Sequence, residues 1–215
     1  MSAPYILHYS PSTASMAVHW MLIHLGAPFE LEKVDIDGGA QNSAAYRKLN
    51  PAGRVPTLIV DGKAYGESAA LLMLLAERHP EAGLAPAPGS PDRPAWMSGM
   101  IYLANVLLPA FRDWFYAEKD GAGAGADSVK ALARVRIEGV WDRMDRELAD
   151  GRAYFLGDRL STIDFLATTL MRWSRKMPKP ATDWPNISRY VQRMRALLSF
   201  IALCDAEGLT EWRNP

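Results

Sequence analysis

Five prolines crowd residues 80–94 (Pro80, Pro86, Pro88, Pro91 and Pro94), with Gly83 and Gly89 among them. Proline lacks the backbone donor that a helix or central strand needs, and glycine loses the most freedom on ordering. Such a stretch separates two parts that fold on their own patterns. A chain of 215 residues suits one large domain or two small ones. Strand and helix patterns alternate before the prolines, and no strand pattern follows them. The expected division is a first domain over 1–80, a linker over 81–94 and an all-helical domain over 95–215.

In the first part, residues 5–9 (Tyr-Ile-Leu-His-Tyr) are short, apolar and aromatic and break at Ser10-Pro11, which reads as a buried strand. Met16 to Leu25 is almost wholly apolar and stops at Gly26, a helix terminator. Phe29 to Asp37 reads as a second strand, so the opening is β-α-β with parallel pairing through a crossover helix. A short helical patch at 44–49 precedes Thr57-Leu58-Ile59-Val60, and Asp61-Gly62 marks a hairpin into Lys63-Ala64-Tyr65. Ala69 to His79 is an apolar helix. In the second part, helical patterns cover Ala95–Glu118, with a kink expected at Pro109. They continue over 129–149, 162–177, 187–198 and 200–207.

Hydrophobic residues make up 49% and charged residues 22%, enough for a core without metals or disulfides. Lys plus Arg and Asp plus Glu are equal at 24 each, so no overall field attracts a polyanion and nucleic acid is set aside. Cys204 is the single cysteine, which excludes a disulfide framework, a CxxC pair or a cysteine zinc site within the chain. His8, His19, His24 and His79 share no spacing with carboxylates, so no metal is expected. The start of the chain shows no basic segment followed by an apolar one, and the longest apolar runs, near 71–76 and 197–204, are too short for a bilayer. A reducing cytoplasm, without membrane attachment, is the expected setting.

The chemistry concentrates in the first part. Pro56 cannot supply a ladder N–H, so it belongs just before a strand, where a cis bond in a tight turn is plausible. That turn leaves the backbone of Val55 open to a peptide-like ligand. Ser68, at a strand-to-helix junction, offers a hydroxyl and helix N-terminal N–H groups to a carboxylate, and Glu67 offers a carboxylate to an ammonium. A ligand carrying both groups on one end is an α-amino acid terminus.

The order of strand, serine-rich turn, helix, strand, Val-Pro, hairpin, Glu-Ser, helix, proline linker and helical half resembles the glutathione transferase family over essentially the whole chain. Arg54-Val55-Pro56-Thr57-Leu58 and Tyr65-Gly66-Glu67-Ser68 are similar to that family's tripeptide-binding motifs. The resemblance implies an α/β thioredoxin-like domain followed by an all-α domain, with glutathione bound at Arg54, Val55, Pro56, Glu67 and Ser68: Val55 pairs with its cysteinyl backbone, and Glu67 and Ser68 hold its γ-glutamyl end. It also implies a cytoplasmic homodimer in detoxification, with glutathione as co-substrate, no resident cofactor, and a small apolar electrophile as second substrate.

The turn Ser10-Pro11-Ser12-Thr13-Ala14-Ser15 lies where a thioredoxin-like fold presents its reactive group. A free thiol, with a pKa of about 8.5, is only a few per cent thiolate at pH 7. A hydroxyl donated to the sulfur and the positive end of the next helix favour the anion. Lowering the pKa by about two units, roughly 2.7 kcal/mol, makes most of it thiolate. Counted back from Ala17-Val18, Ser12 falls where serine-type members of the family keep the activating serine; Ser15 and Thr13 are the alternatives. Aligned on Tyr9-Ser10-Pro11, the turn resembles the bacterial beta class, whose cysteine falls on Ala14. Alanine forms no mixed disulfide, which argues against thiol exchange.

In the second part, Ser161-Thr162-Ile163-Asp164 reads as a capping box with Asp in the Glu position, flanked by Leu160 and Phe165. Tyr102 and Phe111, from an aromatic run that includes Trp114, Phe115 and Tyr116, are candidates for an apolar second-substrate wall; packing in the bundle fits each equally well. Asn105 and Ser98 lie where beta-class members have polar glutathione contacts. Three readings follow: a transferase in which a serine-stabilised glutathione thiolate attacks an apolar electrophile, a glutathione-binding or regulatory protein without turnover, and a glutathione-dependent thiol or peroxide reductase.

Overall fold

The computed structural model describes residues 4–213. The chain divides into two compact units, one running to Ala85 and taking in the chain again from Arg195, the other spanning Pro86–Met194.

The first unit is built on a mixed four-stranded sheet in the order β2-β1-β3-β4, with β1 Tyr5–Tyr9, β2 Phe29–Lys33, β3 Thr57–Val60 and β4 Lys63–Tyr65. β1 and β2 are parallel through α1 (Ser15–Leu25), whereas β3 is antiparallel to both β1 and β4, the thioredoxin-like arrangement. The β3–β4 hairpin turns on Asp61 (φ 50°) and Gly62 (φ 76°), the pair of left-handed residues that matches the strands' own twist. α1 is buried from Ser15 through Leu22. It packs on β1, on α3 (Ser68–Arg78) and on α9 (Leu198–Glu207), which explains why its sequence is apolar nearly all round. β2 is shorter than the expected 29–37. Val34 still donates to the carbonyl of Tyr9, the last residue of β1, and the Asp35 carboxylate then accepts from the Gly38 N–H to turn the chain.

The last helix departs from the expected division. Residues from Arg195 onward belong with the first unit because α9 lies against α1: the Trp20 indole donates to Ser199 Oγ at 3.0 Å, and its ring meets Phe200 edge-on at 4.8 Å. Cys204 is buried in that helix.

The second unit is helical: α4 Arg93–Tyr102, α5 Leu108–Tyr116, α6 Ala126–Glu147, α7 Thr162–Trp173 and most of α8 Pro185–Arg195. Between α4 and α5, Leu103–Leu107 forms a π-helical turn in which Leu108 N–H donates to the Leu103 carbonyl. Pro109 follows immediately. It has no N–H for the carbonyl four residues back, and the ladder widens ahead of it. Contrary to the expectation of short apolar runs only, Arg93–Tyr116 is long and apolar enough to cross a membrane by length and composition. Its inward stripe of Trp96, Met100, Leu107 and Phe111 is the fully buried core of this unit.

The capping box at Ser161 forms as expected. Asp164 Oδ2 accepts from the Ser161 N–H (2.8 Å) and hydroxyl (2.9 Å), and Oδ1 accepts from the Phe155 N–H (3.1 Å) and the Tyr190 hydroxyl (3.0 Å). Burial pushes the Asp164 carboxyl up to about 6, against the downward pull of these four bonds. With the folded-state value raised, the group's contribution to stability is fully present below about pH 4 and is lost as pH rises through about 6, an effect of about 3 kcal/mol for a two-unit shift. Asp164→Ala leaves four buried donors without their acceptor, and should cost about 3 kcal/mol or more in denaturant unfolding at pH 4, with a smaller cost at pH 7.

Candidate functional site

Three turns of the first unit lie at one end of its sheet. His8 of β1 pairs with Thr57 of β3, and Leu58 with Tyr65 of β4, so the end of β1, the start of β3 and the end of β4 are neighbours. The first turn is Ser10–Ala14, the second Gly53–Pro56, the third Gly66-Glu67 before α3. The Ser68 hydroxyl donates to the Ala14 carbonyl at 3.0 Å and ties the N-terminus of α3 to that of α1.

The first turn satisfies itself. The Ser10 carbonyl lies within hydrogen-bond reach of both Thr13 Oγ1 (2.7 Å) and Ser15 Oγ (3.0 Å), which are 2.9 Å from each other, so two hydroxyl protons are shared among three contacts. Ser15 Oγ accepts in turn from the Ser10 N–H, and Thr13 Oγ1 from the Ser15 N–H. Ser15 is fully buried. Two of the three candidate hydroxyls, Thr13 and Ser15, therefore close the turn ahead of α1. Ser12 stands outside this ring, half-buried, with φ at 62°. Its N–H donates to Glu207 Oε2 of α9 at 2.8 Å.

In the second turn Val55-Pro56 is cis, as expected. Pro56 is buried, Val55 half-buried and the Arg54 side chain exposed. The Arg54 carbonyl accepts from the Tyr46 hydroxyl and from Asn50 Nδ2, both at 2.9 Å, and the same two groups reach Thr57 Oγ1 at 2.8 and 3.0 Å. Tyr46 and Asn50 of the α2 region (α2, Ala44–Leu49) thus hold both sides of the turn, a role the sequence reading missed. Burial raises the Tyr46 phenol, opposed by its bond to Thr57, and keeps it a donor. Val55 itself precedes β3 and stands outside the sheet ladder.

In the third turn, Glu67 is exposed and held at φ 67°, ψ 102°. A left-handed conformation costs a non-glycine residue roughly 1–3 kcal/mol, and such outliers gather at functional sites. A side chain at Gly66 would start 3.2 Å from Asn50 Nδ2, so glycine lets the second and third turns approach. The Ser68 hydroxyl, expected to face a ligand carboxylate, has its proton committed to Ala14. What remains for an anion is the set of N–H groups opening α3.

The family model described as "Glutathione S-transferase, N-terminal domain" matches residues 11–78, which include the second and third turns and all of the first but Ser10, and the corresponding C-terminal domain model matches 116–193. The chain belongs to the glutathione S-transferase family of enzymes. Among its relatives is glutathione S-transferase GST-4.5 of Xanthomonas campestris pv. campestris, 31% identical over 94% of this chain and 98% of that protein. A maleylacetoacetate isomerase of Dictyostelium discoideum is 29% identical over 90% and 89%. A sphingomonad glutathione S-transferase solved in complex with glutathione superposes with a TM-score of 0.84 at 31% identity, covering 95% of this chain and all of that one.

The second-substrate residues expected from the glutathione transferase pattern do not come together. Phe111 is fully buried, stacked on Phe115 at 5.8 Å and edge-on to Trp173 at 5.6 Å, so it is core and not pocket wall. Asn105 is exposed on the π-helical turn. Tyr102 lines an open cleft of about 260 Å³ together with Ser98, Arg143 and Phe155, with the Arg143 guanidinium over its ring at 4.2 Å. Phe111 lies beyond the widened turn, which rotates it relative to a continuous helix.

Ser15→Ala should lower stability by about 1–2 kcal/mol in denaturant unfolding, because the buried Ser10 N–H loses its acceptor.

Proposed function

We propose that the three turns grip glutathione and that Ser12 donates its hydroxyl to the sulfur, so that the thiolate attacks an electron-poor carbon of an apolar second substrate. The observation that carries this reading is the position of Ser12, half-buried and at φ 62° just ahead of the N-terminus of α1. The helix end adds its own preference for negative charge there. The Val55 backbone would pair with the tripeptide, the Glu67 carboxylate would take the α-ammonium, and the N–H groups opening α3 would take the α-carboxylate. The relative solved with glutathione supports the choice of ligand. No metal or prosthetic group is called for: the protein binds, orients and shifts one proton equilibrium.

A second reading is favoured by the isomerase-named relative. A thiolate that adds to an activated double bond, allows rotation and then departs isomerises the substrate instead of keeping the sulfur bond. Both reactions begin with the same addition. Consumption of glutathione marks conjugation, and its return unchanged marks isomerisation.

Ser12→Ala should lower turnover at least about tenfold with little change in glutathione affinity, the pattern of a lost thiolate donor. The same loss on Ser15→Ala, with none on Ser12→Ala, would move the role to Ser15. Glu67→Ala should weaken glutathione binding about 10- to 100-fold by calorimetry, as for losing a charged hydrogen bond; unchanged affinity removes Glu67 from the site.

A further inference from the structure

Glu207 is the last residue of α9, lies 195 positions beyond Ser12 and is buried, 7% exposed. Its two oxygens are divided between two elements. Oε2 accepts from the Ser12 N–H at 2.8 Å, and Oε1 meets His19 Nδ1 at 2.9 Å, with both side chains of that pair fully enclosed. An ionised carboxylate only accepts, so Nδ1 carries the proton in that bond. His19 Nε2 has no partner among the described residues; the ring is wedged edge-on between Tyr9 at 5.5 Å and Phe29 at 5.6 Å. The imidazole is thus fixed by packing and presents one donor to the carboxylate, which is thereby fixed toward Ser12.

Ser12 needs such a hold. It is a serine with positive φ, in the strained region, and it lies outside the ring of hydroxyls that closes the rest of its turn. A buried carboxylate accepting a backbone N–H is among the stronger single hydrogen bonds a protein makes. Burying it is costly unless every lone-pair direction in use is matched, which is what His19 and Ser12 do together.

We infer that Glu207, locked by His19, is a positioning residue that holds the Ser12 backbone in its left-handed conformation and so aims the Ser12 hydroxyl. The inference rests on the proposed role of Ser12 and extends the site to the C-terminal helix. It also gives a functional reason for the return of residues beyond Arg195 to the first unit.

The test combines one measurement on the unmodified protein with three variants. Hydrogen exchange followed at the Ser12 amide should be at least about 100-fold slower than an unprotected amide, since a buried acceptor holds it; exchange at the unprotected rate overturns the inference whether or not any variant folds. The apparent pKa of the bound glutathione thiol, read from thiolate absorbance against pH, should rise by about one unit in Glu207→Ala. Turnover at pH 7 should fall about tenfold, and glutathione affinity should stay within about threefold. Glu207→Gln should recover most of that loss, because its amide oxygen can accept from Ser12 while its NH2 group faces His19 Nδ1, which accepts once the ring proton moves to Nε2. A role in folding alone would lower the melting temperature of Glu207→Ala and leave the thiol pKa of the folded protein unchanged, and that result overturns the inference. Ser12→Ala separates the two ideas. If it raises the thiol pKa and Glu207→Ala does not, only the positioning role fails; if Ser12→Ala leaves the thiol pKa unchanged, the proposed role of Ser12 fails and the positioning role falls with it.

Discussion

α1 is buried along nearly its whole first two turns, and a helix placed that way has to have its exposed N-terminal donors answered by the residues just before it. Here the Ser15 N–H goes to Thr13 Oγ1 and the Met16 N–H to the Thr13 carbonyl, and the hydroxyls of Thr13 and Ser15 close the turn on the Ser10 carbonyl. Everything at the site follows from that closure. The Ala14 carbonyl is left where Ser68 can donate to it, and the Ser12 N–H turns to Glu207.

The second feature is where irregular backbone is allowed. Ser12 and Glu67 are both left-handed without being glycine, and both occur at a strand-to-helix junction at the same end of the sheet. Each is supported from elsewhere in the first unit: Ser12 by Glu207, and the Glu67 turn by the close approach of Gly66 to Asn50 and by the bond from Ser68. Strain at two points of one small surface, each held by buried or reciprocal hydrogen bonds, is the pattern of a preorganised binding surface.

Much of this was legible in local sequence. Asp61-Gly62 names its own turn because only residues tolerant of positive φ fit there, and Val55-Pro56 has to precede a strand because proline cannot donate to a ladder. Ser161 and Asp164 announce a helix start at the observed place. The motifs around 54–58 and 65–68 were enough to suggest a tripeptide site. Other features were not legible. Phe111 reads equally well as pocket wall or core, since an aromatic stripe says only that a face is covered. The widened turn at 103–107 shifts which face that is. Tyr46 and Asn50 are ordinary residues in a short helical patch, and only the fold brings them to the Arg54 carbonyl.

Local chemistry by itself determined the strands, the helices, the break at residues 80–94 and the turns at 53–56 and 61–62, because those depend on periodicity, backbone donors and allowed φ values within a few residues. Tertiary structure alone decided that the last helix belongs with the first unit, that Ser68 spends its proton on Ala14, and that a glutamate near the end of the chain grips a serine near its start. Those are contacts between residues up to 195 positions apart. Their energy comes from burial and from matching a donor to an acceptor in space, and neither leaves a trace in the spacing of residues along the chain.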